Sequence, residues 1–209
     1  MRVVKEAQER RKEILDVAEK LFITKGYDNT STNDILAEIG IARGTLYYHF
    51  KSKEDILDGI IFRVLDEISR KVKLVTEDKS LTVLERFTKA IVSTNVDNEL
   101  GRLITELVHK PQNALMNQKM RSGMLDMMIP YIKQIICDGV EEGIMKTDYP
   151  EEVVEMTLSY AYDAFDDEVD YPEDVKKRKI LGFIENCELM LNMKKGSLLE
   201  AMIPMFYRE

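Results

Sequence analysis

The sequence predicts an all-α protein. Along most of the chain, apolar residues recur every three or four positions, as they do on the buried face of an α-helix. Val, Ile and Thr rarely alternate with polar residues, a pattern that would be typical of strands. The 209 residues, 44% of them hydrophobic, are enough for one or two small domains that each bury a core.

Four helices are predicted in the first third of the chain, and four to six more from residue 80 onward. The first helix carries an apolar stripe and ends at Gly26. The second is short and lies between Ser31 and Gly40, and the fourth is longer and begins near Ser52. Ser31 and Ser52 are each followed three residues later by Asp, a spacing that resembles a capping box and supports both helix starts.

The third helix is predicted over "RGTLYYHF", residues 43–50. On a helical wheel, Leu46 and Phe50 centre the buried face and Tyr48 points away from it. Together with the second helix and the turn between them, this helix makes a helix-turn-helix pattern. Its outer face carries hydrogen-bonding side chains and a glycine that allows close backbone approach. Such a face suits the major groove of DNA.

The net charge of −8 argues against nucleic acid as a partner, but the charge is unevenly distributed. Residues 1–53 carry 10 Lys and Arg against 8 Asp and Glu, whereas residues 54–209 carry 20 against 30. This asymmetry favours a DNA-contacting module on an acidic body.

Cysteine usage and hydropathy predict a cytoplasmic protein. Cys137 and Cys187 lack the spacing of metal ligands, and two thiols in a chain of this size favour a reducing compartment. No apolar run approaches the roughly 20 residues that span a membrane. The first residues also lack the apolar core of a signal peptide. We therefore expect no membrane partner.

Residues 30–57, "TSTNDILAEIGIARGTLYYHFKSKEDIL", resemble the DNA-binding domain of the TetR family of transcriptional regulators. The resemblance implies a homodimeric repressor that binds operator DNA. It implies a three-helix DNA-binding domain with a helix-turn-helix in residues 1–52. A fourth helix would link it to an effector-binding and dimerisation domain in residues 53–209. By position, the phosphate contacts of the family fall on Thr30 or Ser31, Tyr47, Tyr48 and Lys53, and its base-reading positions on Arg43, Gly44, Thr45 and His49. Ala42 departs from the family, which often has a capping Ser or Thr there.

Two later segments look like the helices that pair across the dimer axis in this family as a four-helix bundle. They are "GIMKTDYPEEVVEM" and "YPEDVKKRKILGFIENCELML", read as the last two helices of the body. An alternative is that their apolar residues bury only against their own subunit. The candidate interface residues are Val153, Val154, Thr157, Leu158, Ala161, Ile180, Leu181, Ile184, Leu189 and Leu191.

A cluster of methionines predicts a pocket for a small apolar effector. Thioethers are flexible and adapt to ligands of varied shape. The alternative is that these methionines only fill a core. The candidate pocket residues are Met116, Met120, Met124, Met127, Met128 and Tyr131, with Phe87, Tyr162 and Phe165 as residues that could reach the same cavity.

Two other functions remain open at this stage. The chain could be a DNA-binding protein of the same fold that answers to a protein partner. It could also be a metal-dependent enzyme built on Asp163, Asp166, Asp167 and Asp170, which recur at helical spacing and could bind a hard cation. The sequence carries no Gly-rich phosphate loop, nucleophile elbow or His-rich ligand set. We therefore predict that the protein is not an enzyme and has no cofactor or metal.

Overall fold

A computed structural model describes residues 2–94, 111–165 and 171–206 of the chain. Within these ranges the chain forms nine α-helices, one turn of 3-10 helix and no strand, so the predicted all-α fold is confirmed. The helices are α1 (Arg2–Lys25), α2 (Thr32–Ile39), α3 (Arg43–His49), α4 (Lys53–Glu77), α5 (Val83–Val92), α6 (Ala114–Glu141), α7 (Pro150–Ala164), α8 (Glu173–Met190) and α9 (Ser197–Phe206).

The described residues form two compact units. The N-terminal unit contains residues 2–66 and 111–123, and the C-terminal unit contains residues 67–94, 124–165 and 171–206. The predicted functional domains, 1–52 and 53–209, stay a prediction. The compact units nevertheless add residues from α4 and α6 to the N-terminal unit, which the sequence prediction did not include.

The helix-turn-helix of the N-terminal unit forms where the sequence predicts it. Ser31 and Asp34 make a capping box at the start of α2, because each side chain accepts a hydrogen bond from the backbone amide of the other. Gly40 ends α2 with a φ of 74°, a conformation that favours glycine. Leu46 and Phe50 are buried in the core, as predicted. The opposite face of α3 is therefore turned outward.

Residues 111–123 complete the N-terminal unit from a distant part of the sequence. The side-chain oxygen of Asn113 accepts a hydrogen bond of 2.6 Å from the backbone amide of Tyr27, 86 positions earlier. Met116 and Met120 lie in the same apolar core as Ile14 and Leu46. This segment thus fixes the loop between α1 and α2 and fills part of the core beneath it.

A buried ion pair organises the C-terminal unit. The guanidinium of Arg86, on α5, donates hydrogen bonds to Asp138 on α6 and to the carbonyl of Thr76 on α4. Lys79 also donates to Asp138, and Gln134 donates to it at 3.0 Å. The carboxylate therefore connects the end of α4, α5 and α6.

The last described helix, α9, is attached to α8 through a buried carboxylate. Glu188 accepts hydrogen bonds from the backbone amides of Gly196, Leu198 and Leu199, at 2.8, 2.8 and 3.4 Å. Amides at a helix start have no partner within the helix, so this carboxylate satisfies them and complements the helix dipole. α9 follows the two segments predicted as the last helices of the body, and that prediction is therefore wrong.

α6 continues through Pro130, which lies inside the helix and not at its start. Within the described ranges, we find no helix that is both long and apolar enough to cross a membrane.

Candidate nucleic-acid interface and apolar cavity

The outer face of α3 presents the side chains that the helical wheel predicts. Tyr48 is 78% exposed and Tyr47 is 41% exposed, whereas Leu46, on the buried face of the helix, is only 1% exposed. Arg43 and Gly44 are exposed at the start of the helix. The half-buried residues Thr45 and His49 border the same face. α3 therefore offers one continuous polar surface to solvent.

Contacts within the unit orient the side chains at the start of this face. The Arg43 guanidinium lies 5.5 Å from the centre of the Tyr47 ring. Hydrogen bonds from Thr32 and Arg43 lower the pKa of the Tyr47 phenol. Ala42 precedes α3 with a methyl group that offers no capping hydrogen bond, as its departure from the family pattern implies.

Two arginines near the other end of α3 were missed by sequence reasoning. Burial lowers the pKa of His49, and the positive charges of Arg11 and Arg10 lower it further. The Arg11 guanidinium lies 4.8 Å from the centre of the Phe50 ring. The run "ERRKE" in α1 carries the signal, but the sequence gives no indication that α1 passes beside the end of α3.

Thr30 and Ser31, the two candidates for a phosphate contact before α2, differ in their exposure to solvent. Thr30 is 1% exposed, and its hydroxyl donates to the carbonyls of Gly26 at 2.8 Å and Leu21 at 3.3 Å. Ser31 is exposed and caps α2, whose first backbone amides point out of the helix. Of the two, Ser31 is the residue whose side chain lies at the surface.

Lys53 is the first residue of α4 and is held by the loop between α1 and α2. Its ammonium donates a 2.8 Å hydrogen bond to the carbonyl of Tyr27 and lies 4.1 Å from the centre of the Tyr27 ring. The Ser52 hydroxyl accepts a hydrogen bond from the amide of Asp55 at 3.0 Å. Lys53 thus brings a positioned positive charge to the first turn of α4, which also carries Glu54 and Asp55.

The C-terminal unit contains a cavity of about 370 Å³ with an apolar wall. Its described lining comes from α5, α6, α7, α8 and α9. Five of the residues predicted for a ligand pocket lie in this wall: Phe87, Met124, Met128, Tyr162 and Phe165.

The other four predicted pocket residues lie elsewhere. Met116 and Met120 belong to the core of the N-terminal unit, because α6 contributes to both units along its length. Met127 is half-buried and is absent from the described lining. The hydroxyl of Tyr131 lies 2.9 Å from that of Ser69 and is likewise absent from it. The methionine cluster is thus divided between a core and a cavity.

Most of the residues predicted for a dimer interface also face the interior of their own unit. These contacts agree with the alternative that they bury against their own subunit, and a further contact with a partner stays a prediction. Val154 is fully buried. The residues in the cavity wall are Val153, Thr157, Leu158, Ala161, Ile180, Ile184 and Leu191.

A different set of apolar side chains is exposed on α7 and α8. Met156 and Tyr160 are one helical turn apart on α7, and Leu181 and Leu189 are two turns apart on α8. Leu181 and Leu189 were part of the predicted interface, and Met156 and Tyr160 were not. Each helix therefore has an exposed apolar stripe as well as an inward one.

Only one of the four aspartates predicted for a metal site lies among the described residues. Asp163 lies on α7, but Asp166, Asp167 and Asp170 fall outside the described residues. In the part of the chain that the structure describes, no three His, Cys, Asp or Glu residues are grouped so that they could hold a metal ion.

Both the N-terminal and the C-terminal part of the chain match models of known protein families. Residues 14–60 match the family model described as "Bacterial regulatory proteins, tetR family", and residues 93–185 match the one described as "Tetracyclin repressor-like, C-terminal domain". The chain belongs to the TetR family.

Curated relatives match this TetR-family chain over part of their length. An HTH-type transcriptional regulator of Staphylococcus aureus (strain USA300) is 36% identical over 97 residues, which are 46% of this chain and 52% of the relative. One from strain MRSA252 is 43% identical over 74 residues, 35% of this chain and 40% of the relative. The chain thus matches about half the length of these relatives or less.

Solved structures share the fold over nearly the whole TetR-family chain. A TetR/AcrR-family regulator of Thermobifida fusca is 24% identical with a TM-score of 0.57, over 88% of this chain and 97% of that one. A TetR-family regulator of Pectobacterium atrosepticum is 18% identical with a TM-score of 0.56, over 90% and 94%. At these identities the likeness establishes the fold alone.

Proposed function

We propose that the protein is a ligand-responsive transcriptional regulator, most simply a repressor. It binds a palindromic operator as a homodimer and is released by a small-molecule effector. The observation that carries this proposal is the outer face of α3. The face is polar, well exposed and flanked by Ser31 and Lys53 at two helix N-termini.

The α3 face would lie in the major groove. Residues Arg43, Gly44, Thr45 and His49 would meet base edges, while Tyr47, Tyr48, Ser31 and Lys53 would hold phosphates. Such a division is physically reasonable, because phosphate contacts fix position and contacts to base edges discriminate sequence. The small surplus of positive charge in residues 1–53 supports the same placement.

Dimerisation would use the exposed stripes of α7 and α8. Family membership supports a four-helix bundle of these helices and their copies, and the exposed Met156, Tyr160, Leu181 and Leu189 supply its apolar side chains. Two equivalent α3 helices on a two-fold axis read equivalent half-sites. The operator would therefore be an approximate palindrome, with half-sites about one helical turn apart or more.

The cavity of the C-terminal unit would hold the effector. Its largely apolar wall and its volume of about 370 Å³ support a small apolar molecule as the ligand. The family is one of regulators, and we propose that this member catalyses no reaction. A regulator of this kind works in the cytoplasm, where its operator is.

The proposal is tested by distinguishing contacts to phosphates, which position the protein on DNA, from contacts to base edges, which discriminate sequence. Operator sites are selected from random duplexes, and affinity is measured by fluorescence anisotropy across salt concentrations. Lys53→Met keeps the apolar stem over Tyr27 but removes the charge. It should weaken binding similarly on all sequences and lower the salt slope by about one for each phosphate that Lys53 neutralises in the wild-type complex. Thr45→Ala should instead change base preference at one or two positions in each half-site.

Lys71→Met is the matched control, because Lys71 lies on the same helix but pairs with Glu67 in the C-terminal unit. It should leave the salt slope nearly unchanged. If no duplex is enriched by the wild-type protein, the DNA-binding proposal is wrong. If Lys53→Met keeps the wild-type slope, Lys53 does not hold a phosphate.

A further inference from the structure

The cavity wall in the C-terminal unit contains no charged side chain among the residues that the structure describes. Four of its described residues carry a polar group, and the rest are aliphatic, aromatic or thioether side chains. An ion that leaves water for such a wall gains no countercharge from the described residues. The polar groups therefore decide what the cavity can accept. They belong to Thr94, Thr157, Tyr162 and Cys187.

The two threonine hydroxyls donate their protons to helix carbonyls. Thr157 donates to the carbonyl of Val153 at 2.7 Å, and Thr94 donates to that of Ile91, also at 2.7 Å. Each hydroxyl has a single proton, so neither has one left for a bound anion. They can still accept a hydrogen bond through their oxygen lone pairs.

The thiol of Cys187 is kept neutral by its surroundings. Burial raises its pKa, and the negative charge of Glu188 raises it further, to about 12. A thiol in this state is a weak donor and supplies no charge to pair with a cationic ligand.

Two buried charged residues, Arg86 and Glu188, are next in sequence to residues of the cavity wall and are bound within the unit. Arg86 is paired with Asp138, and the Glu188 carboxylate accepts backbone amides from the start of α9. Asp138 and Glu188 would have to release these bonds to serve a charged ligand, whereas the buried Nε of Arg86 has no hydrogen-bond partner. Removing one partner from a buried pair is strongly unfavourable.

We propose that the cavity takes an uncharged, largely apolar ligand. This inference rests on the proposed function, in which the same cavity holds the effector. An engineered apolar cavity of about 150 Å³ binds benzene, so the volume here suits a ligand of roughly 15 non-hydrogen atoms. Met124 and Met128 in the wall allow it to adapt to the ligand shape.

The test compares ligands that differ only in charge. N-phenyl-1-naphthylamine, a neutral fluorescent probe, is bound to the full-length protein at pH 7 and displaced by 1-decanol, decanoate or decylammonium. Each is kept below its micellar concentration. We expect 1-decanol to displace the probe at a concentration at least ten times lower than either ion. Equal or tighter binding of an ion would overturn the proposal, as would failure of the probe to bind.

A filled-cavity variant links the displacement to this site. Ala161→Phe places a ring in the cavity wall and should weaken probe binding at least ten-fold. Glu152→Phe adds the same side chain at an exposed position of the same helix and should leave probe binding unchanged. Circular dichroism verifies that both variants are folded. Equal probe binding by a folded Ala161→Phe would overturn the assignment to this cavity. The readout contains no DNA, so failure of the DNA-binding proposal would be seen separately.

Discussion

Arg86 carries its positive charge into the interior of the C-terminal unit, where its side chain is only 2% exposed. Burial would raise the pKa of its partner Asp138. Hydrogen bonds from Lys79, Arg86 and Gln134 outweigh that effect and lower the pKa to about 2. The ionised carboxylate is thus the form that the folded state binds best, and it neutralises a charge that could not otherwise be buried.

We expect Asp138→Asn to lower the free energy of unfolding by about 3 kcal/mol at pH 7, because Arg86 loses its buried counterion. The wild-type protein should also lose stability as the pH falls from about 4 towards 2. A depressed folded-state pKa contributes stability above the unfolded pKa of about 3.9, and that contribution disappears on protonation. Urea unfolding at a series of pH values measures both effects.

Glu142→Gln serves as the control for this prediction. Its carboxylate lies 3.7 Å from Arg86 but is half exposed, so its removal should cost less than about 1 kcal/mol. If both variants lose the same stability, the buried pair with Asp138 has no special role. If Asp138→Asn keeps the full acid-induced loss between pH 4 and 2, another carboxylate is responsible.

Single residues of the DNA-binding face could be predicted only where local rules decide their environment. The outward direction of Tyr48 follows from helix geometry around Leu46, and the capping role of Ser31 follows from its spacing to Asp34. Thr30 could not be separated from Ser31 by sequence, because its burial depends on how the loop after Gly26 folds back onto α1.

At the scale of helices, apolar periodicity was sufficient to predict which side of α3 is buried, but it did not predict which residues of α7 and α8 are exposed. α3 has one apolar face, so the wheel identifies the buried side directly. α7 carries inward residues such as Leu158 and exposed ones such as Met156, so its apolar pattern covers more than one side. Periodicity identifies apolar positions but does not say whether a cavity, a core or a partner covers them.

Glycines inside α6 and α8 give a prediction about helix packing. An added Cβ at Gly139 would lie 2.6 Å from the sulfur of Met145 and 3.2 Å from Cγ1 of Val83, both buried. Overpacking costs about 1–3 kcal/mol and should exceed the gain of about 1 kcal/mol from replacing a helical Gly. Gly139→Ala should therefore lower the thermal melting temperature.

Gly182→Ala is the matched substitution on α8. No described atom other than its chain neighbours and own helix backbone lies within 4 Å of the added Cβ. Within its own subunit helix propensity then dominates, and there this variant should be more stable by up to about 1 kcal/mol. A rise in melting temperature for Gly139→Ala, measured in parallel by calorimetry, would mean that Met145 moves aside at little cost.

At the scale of the whole molecule, assembly is predicted to depend on the exposed stripes of α7 and α8. The double variant Leu181→Lys and Leu189→Lys should sediment as a folded monomer, because charges buried in an apolar interface lack partners. Its operator affinity should fall by at least 100-fold, since each half-site would be bound separately.

Leu74→Lys provides the comparison, because Leu74 is 73% exposed, close to the 76% of Leu189, but lies on α4. We expect this variant to remain dimeric with nearly wild-type operator affinity. A folded dimer of the double variant with full affinity would place the interface elsewhere. A monomeric Leu74→Lys would extend the interface to α4.

The hydrogen bond between Tyr27 and Asn113 joins distant parts of the sequence, and it affects how the N-terminal unit folds during synthesis. Domains generally fold as units during synthesis, and the earlier residues leave the ribosome first. Here α1, α2 and α3 emerge long before residues 111–123, which supply Met116 and Met120 to their core. The N-terminal unit therefore cannot reach its final packing until more than half of the chain has been translated. A nascent chain arrested earlier would expose the incomplete core to chaperones.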